Sequence, residues 1–254
     1  MSAPHGYEFR SVVAGVETLP RGASMPRHHH SEGYATIVLA GSVTEVSFAG
    51  RMYAEAGDVL LHGRFDCHLD KGGVKGPLQI LRLPWAHDAV EGQFRVRDPD
   101  ALARLAESDP ERASAQLREE LRPIATRERH WVDELAGALG SGSNLSLQEW
   151  SETRGLSPTT VSSVFHREFG VSPKRFRLES RTRLAWREIM RSTGSLTDIA
   201  FNVGFSDLPH LSRSIYRFTG RSPGAWRSGQ VVNEAIKVRS SPRDSSVRHF
   251  ERKH

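Results

Sequence analysis

The sequence predicts an α+β chain of two domains: a strand-rich first part folded as a small sandwich or barrel, and an all-helical last part with two helix-turn-helix units. Three observations predict it. Apolar and polar residues alternate at period two up to about residue 95, between turns marked by glycine. The period lengthens to helical spacing at Asp98. Beyond residue 130 one pattern occurs twice, a short helix, a glycine turn, a second helix and a Gly-x-Ser-Pro stop.

Among the strands, Tyr34 to Leu39 reads as a largely buried one. Gly41 turns it into Ser42 to Phe48, where Val43, Glu45 and Ser47 face opposite to Thr44, Val46 and Phe48. Gly50 and Gly57 punctuate the next pieces, Val59 to Leu61 continues the series, and Leu78 to Leu83 is a strand ended by Pro84. Many short strands with regular turns give the sandwich or barrel.

Asp98-Pro99 and Asp109-Pro110 then open two short helices. Each pair places a capping carboxylate at the entry and proline at the first helical position, where its missing N–H costs nothing. Leu102, Leu105 and Ala106 share a face of the first helix, and Ala113, Leu117 and Leu121 a stripe on the second, which Pro123 ends. That stripe packs back on the strands or seats a partner subunit. Trp131, Leu135 and Leu139 begin the helical domain. Pro173 to Ser192 reads as a longer helix between the two repeats, with Phe176, Ser180, Leu184 and Ala185 tending to one side. After Trp226 the chain turns polar, as a disordered tail does.

The repeat carries the chemistry. Leu147 to Ser157 and Leu196 to Ser206 are its first halves, and Gly170 to Pro173 and Gly220 to Pro223 its stops. The second copy holds one extra residue, near Asp207. In the first copy Ser157 caps a helix that starts at Pro158, with Val161, Val164 and Phe165 inward. Its outer face carries Thr159, Thr160, Ser162, Ser163, His166 and Arg167. In the second, Ser206 or Asp207 caps, Leu211 and Ile215 point inward, and Leu208, Pro209, His210, Ser212, Arg213 and Arg217 outward. Such a face suits a DNA major groove, where arginine bridges the O6 and N7 of guanine. Lys174, Arg175, Arg177, Arg181, Arg183, Arg187 and Arg191 supply charge at phosphate range.

A formal charge of +5 and a pI of about 9.7 favour an anionic partner. The single cysteine, Cys67, excludes an intramolecular disulfide and agrees with a reducing cytosol. No signal segment opens the chain and no stretch is apolar enough to span a bilayer, so a soluble cytoplasmic protein without a membrane partner is expected. Phosphate loops, Ser-His-Asp arrangements and paired carboxylates do not stand out, and no enzyme is expected.

From Trp131 to Arg227 the sequence resembles the DNA-binding domain of the AraC/XylS family of bacterial transcriptional regulators. The resemblance rests on Gly155, Ser157, Phe165, Phe169 to Pro173, Arg181, Ala185, Ile199, Ala200, Gly204, Phe205, His210, Leu211, Arg213, Gly220, Ser222, Pro223, Trp226 and Arg227. It implies seven helices, two helix-turn-helices and a rigid connecting helix. It implies further that both reading helices enter successive major-groove segments, roughly 34 Å apart. Carried over, its reading positions are Thr159, Ser162 and Ser163, then Leu208, Pro209, His210, Ser212 and Arg213. Ser163 stands where many relatives have arginine, so Arg213 is expected to carry more of the specificity.

The strand-rich part resembles, more weakly, the cupin-like sensor half common in this family. The matching pieces are Met25 to His30, Ile37 to Gly41, and Gly57 to His62 running on to His68. This implies a small β-barrel whose mouth holds an effector. Cupin enzymes bind a metal through a His-x-His pair, a glutamate and a later histidine. His28 and His30 fit the pair and His68 the later ligand, but Tyr34 stands near the glutamate's place and Glu32 is too close. Three imidazoles still suit zinc or iron with open positions. His62 is a fourth ligand or a satisfied polar residue, the second being expected, and Cys67 is expected as an inert thiol.

The expectation is therefore a cupin-like sensor at 1–97, a helical linker at 98–129 that allows dimerisation, a double helix-turn-helix domain at 130–228 and a basic tail at 229–254. The partners are promoter DNA, a small effector, RNA polymerase through activation, and in one version a second copy as a homodimer. The competing expectation is a metal-dependent cupin enzyme or metal sensor tethered to DNA.

Overall fold

The computed structural model describes residues 13–85, 91–124, 130–142 and 144–229. Its strands are β1 (Gly15–Leu19), β2 (Ser24–His28), β3 (Tyr34–Ala40), β4 (Ser42–Ser47), β5 (Gly50–Glu55), β6 (Asp58–His62), β7 (His68–Gly72), β8 (Leu78–Pro84), β9 (Gly92–Arg95) and β10 (Arg122–Pro123). They form two antiparallel sheets, ordered β1-β8-β3-β6-β9-β10 and β2-β7-β4-β5. The alternation in β4 sets what lies between them. Val43 and Glu45 turn into a cavity lined by both sheets, whereas Val46 turns outward against the helices. At Gly41 the β3–β4 turn takes φ +79°, and a Cβ there would sit 2.4 Å from the Pro77 carbonyl oxygen. Only glycine fits both demands.

Two helices follow, α1 (Pro99–Ser108) and α2 (Pro110–Glu120). Asp98 Oδ1 accepts from the Ala101 amide at 2.8 Å and Asp109 Oδ1 from the Arg112 amide at 2.9 Å, as the Asp-Pro pairs predict. Their stripe, Leu102, Ala106, Ala113 and Leu117, packs on Ala35, Ile37, Leu81 and Leu83 of the larger sheet. Of the two expectations for the stripe, packing back on the strands is the one seen.

The helical part comprises α3 (Trp131–Gly140), α4 (Leu147–Glu152), α5 (Pro158–Phe169), α6 (Pro173–Arg191), α7 (Leu196–Asn202) and α8 (Leu208–Thr219), with a further helical run at 223–229. Two cores hold it together. One gathers Val132, Leu135, Leu139, Trp150, Val161, Phe165, Phe169 and Phe176, and the other Ala185, Trp186, Ile189, Ile199, Phe205, Leu211, Ile215 and Phe218. Neither stops at the domain boundary. Val46 and Leu69 complete the first, and Phe65 and Cys67 the second. The expected tail lies outside the described residues, apart from its first position.

Candidate nucleic-acid interface and the cavity behind it

The two reading helices are built alike. Ser157 Oγ accepts from the Thr160 amide at 3.1 Å to start α5, and Asp207 Oδ1 from the His210 amide at 2.6 Å to start α8. Each ends on a left-handed glycine, Gly170 at φ 72° and Gly220 at φ 74°. Of the residues expected on the outer faces, Thr159, Thr160, Ser163, His166, Arg167, Pro209, Arg213 and Arg217 are exposed. Ser162, His210 and Ser212 are half-buried, and His210 meets the Phe205 ring edge-on at 5.0 Å. Leu208 is drawn partly onto the second core, which takes it away from the reading face. Tyr216, not among the expected residues, is 57% exposed. Its place one residue past the inward Ile215 is the signal that finds it.

The arginines of α6 are a correction. Arg183 is buried, donating to the Arg64 carbonyl oxygen at 2.9 Å and to Glu91 at 2.9 and 2.5 Å, with Asp66 at 3.5 Å. Arg187 also pairs with Glu91, and Arg175 with Glu179 at 2.8 Å. Arg177 donates to the Leu145 carbonyl oxygen, and Arg181 to Gly204 O at 3.0 Å and Asn144 Oδ1 at 2.6 Å. Four arginines expected at phosphate range, Arg177, Arg181, Arg183 and Arg187, thus fasten α6 to its surroundings, and Arg175 pairs within the helix. A run of basic residues reads the same whether it faces a solvent, a phosphate or a buried carboxylate.

The smaller sheet grips both helix-turn-helix units. Arg27 Nε donates to Glu179 at 2.8 Å, with its guanidinium 5.3 and 5.1 Å from the rings of Phe48 and Phe176. Arg51 holds Asp133 at 2.9 Å and reaches Glu168 on α5 at 3.3 Å. The His29 ring lies 4.7 Å from Phe218 on α8. Glu168 and Phe218 both stand two residues before the terminal glycine of their helices, so equivalent positions of the two copies meet the strand domain. Burial pushes the His29 imidazole down to about 4 and the Cys67 thiol well above its ordinary value, which fits the inert thiol expected.

β2 and the chain leaving it alternate across this boundary. Arg27 and His29 face the helices, while His28 and His30 turn inward and line the cavity. The ligand nitrogens of His28, His30 and His68 lie within 4.8 Å of one another, so the predicted trio does come together. His28 Nδ1 stands 3.0 Å from Pro26 O and His68 Nδ1 3.0 Å from Asp66 O. A ring nitrogen beside a carbonyl oxygen must be the donor, so in the neutral rings both Nε2 atoms carry lone pairs. They are engaged within the protein: His30 Nε2 lies 3.1 Å from His28 Nε2, and the Tyr34 hydroxyl donates to His68 Nε2 at 2.9 Å. Burial, then the neighbouring His62, hold the His68 imidazole well below its ordinary pKa.

Next to this cluster lie two groups that the motif reading did not join. Glu45 Oε2 is 3.3 Å from His62 Nε2, and His62 Nδ1 is 3.6 Å from Asp66. Glu45 Oε1 is buried without a hydrogen-bond partner, while His62 sits between two carboxylates, as the polar residue expected with partners does. Burial pushes the Glu45 carboxyl up to about 8 against the pull of His62. Burial works against protonation of His62, but Glu45 and Asp66 outweigh it and hold its pKa above the ordinary value.

A family model described as a helix-turn-helix domain matches residues 150–229. The chain is 32% identical over 84 residues to the HTH-type transcriptional regulator ExsA of Pseudomonas aeruginosa, covering 33% of this chain and 30% of that one. It is 29% identical over 99 residues to the arabinose operon regulatory protein of Escherichia coli, covering 38% and 34%. The alignments thus span about a third of the length of these curated relatives. Among solved structures, fatty-acid-bound ToxT of Vibrio cholerae is similar at 10% identity and a TM-score of 0.39, over 85% of this chain and 94% of that one.

Proposed function

We propose that the chain, which carries an AraC-type helix-turn-helix domain, regulates transcription by reading promoter DNA with α5 and α8 and responds to a small effector held between its sheets. The observation that carries this is the pair of like-capped helices, each presenting an exposed polar face while its inner face forms a core. Residues 1–97 are the cupin-like sensor, 98–129 the linker and 130–228 the DNA-reading unit. The facing sheets and their histidine-lined cavity support the cupin-like reading. Activation through RNA polymerase in the cytoplasm is the working mode. Two readers per chain suit a monomer or a homodimer equally.

An effector acts only by binding one arrangement of the readers better than another. The test selects genomic fragments on the purified protein and footprints the winners. Two protected regions about one helical turn apart are expected. In Arg213→Ala, specific affinity should fall by about 1–3 kcal/mol while binding to random DNA changes little. Equal losses on both would remove Arg213 from base readout.

The competing reading, a metal-dependent enzyme or metal sensor, rests on the convergence of His28, His30 and His68. Against it, among the described residues a carboxylate, Asp66, meets only His68 of the trio, in a second group with His62, and all three Nε2 atoms are already hydrogen bonded. Protein purified without a histidine tag is therefore expected to carry no stoichiometric zinc or iron. One equivalent that disappears in His28→Ala would move the site to the metal reading.

A further inference from the structure

The cavity between the sheets encloses about 120 Å³ and has two unlike walls. Leu19, Val43, Leu60, Leu78 and Ile80 make one side apolar. On the other, Glu45 and Asp70 place carboxyl groups on the lining. Arg82 also lines it, but its charge is committed to Glu17. Glu45 is 1% exposed and its Oε1 has no hydrogen-bond partner, while its Oε2 stands 3.3 Å from His62 Nε2. A buried acceptor left unmatched costs the fold its full desolvation, so the site is shaped for something that donates to it.

We propose that this cavity binds a small organic cation, a primary ammonium on a short alkyl chain, with its N–H groups on Glu45 Oε1 and its chain along Leu60, Leu78 and Ile80. The inference rests on the reading of the cavity as the effector site and gives that effector a chemical class. Size sets the length: a cavity of about 150 Å³ holds a six-carbon ring, so this one takes a chain of roughly five heavy atoms. Charge sets the head group. An alkyl carboxylate of equal length brings only acceptors to a wall of acceptors. An ammonium brings three donors and favours the ionised form of Glu45 against the burial that otherwise raises its carboxyl, and an alcohol offers one donor without the charge that strengthens the bond. A small cation also reaches the wall from which β2 and β7 send Arg27 and Leu69 into the helical part.

The test titrates the full chain with n-butylammonium, butan-1-ol and butyrate, followed by calorimetry and thermal unfolding. Butylammonium is expected to bind saturably and raise the Tm, with the alcohol and the acid at least about tenfold weaker. Glu45→Gln should lose that preference. Leu78→Phe, which fills the apolar side and leaves Glu45 in place, should block all three and guards against a misfolded Glu45 variant. Three ligands bound alike, butyrate preferred, or no binding by any would overturn the proposal, the last leaving ordered water as the partner of Glu45. An operator footprint that persists through such a failure confines it to the ligand class. Loss of the footprint itself would count against the regulator reading instead.

Discussion

Arg183→Ala is expected to lower the stability of the full chain by about 3–5 kcal/mol, the cost of leaving a buried charge without its partner. Arg183 is 4% exposed on α6, and Asp66, which faces it from the strand domain at 3.5 Å, is 6% exposed. In the intact protein burial raises the Asp66 carboxyl, but Arg183 and then His62 outweigh it and hold it below its ordinary pKa. Without the guanidinium, Asp66 is left with His62, and Glu91 with Arg187, as its ion-pair partner among the described residues. Urea unfolding of Arg183→Ala, Asp66→Asn and the double variant measures this. The double variant should be less damaged than the sum of the singles, because removing both charges removes the penalty. A single-variant loss below about 1 kcal/mol would mean that solvent reaches the pair and that the contact is a surface one.

Phe65→Ala should cost a similar amount, about 3–5 kcal/mol, for a different reason. Phe65 belongs to the strand domain, yet its fully buried ring sits 4.8 Å edge-on from Trp186 and 5.8 Å from Trp226, within the second helical core. It is held there by backbone in the left-handed region, at φ 57°, with its amide donating to His30 O at 2.8 Å. Removing the ring opens a cavity between parts joined mainly by side chains, where the backbone cannot readily collapse to fill it. For a chain of this size the fall in Tm is on the order of 10 °C. A loss no larger than that of Tyr216→Ala, a residue exposed on α8, would show that the ring contributes nothing to the docking.

The helical part was legible in the sequence to the level of single caps. Asp98, Asp109, Ser157 and Asp207 all accept the amide three residues on, because capping and helical period are local chemistry. The strand part was legible where alternation is apolar against polar, as in β3, β4 and β8. It was obscure in β2 and β7. There the inward residues are histidine and aspartate, and the outward ones, Arg27 and Leu69, are buried by the helices, so the hydrophobic alternation is scrambled. The same cause hid the fate of the α6 arginines. Glu45 was visible as an inward position on its strand, but its nearness to His62 comes from β4 and β6 facing each other from opposite sheets.

The shared cores bear on how such a chain can be inherited. Exchanging everything beyond residue 130 for the same stretch of a relative would pit Arg27 against a foreign residue at 179, Arg51 against one at 133, and Phe65 against one at 218. Each mismatch strands a charge or an apolar ring at the seam, so the seam resists recombination although it lies between recognisable modules. Drift at these positions is confined to paired changes. Across descendants of this chain, 27 with 179, 51 with 133, and 65 with 218 should vary together, while the exposed reading faces remain free to acquire new operators one residue at a time.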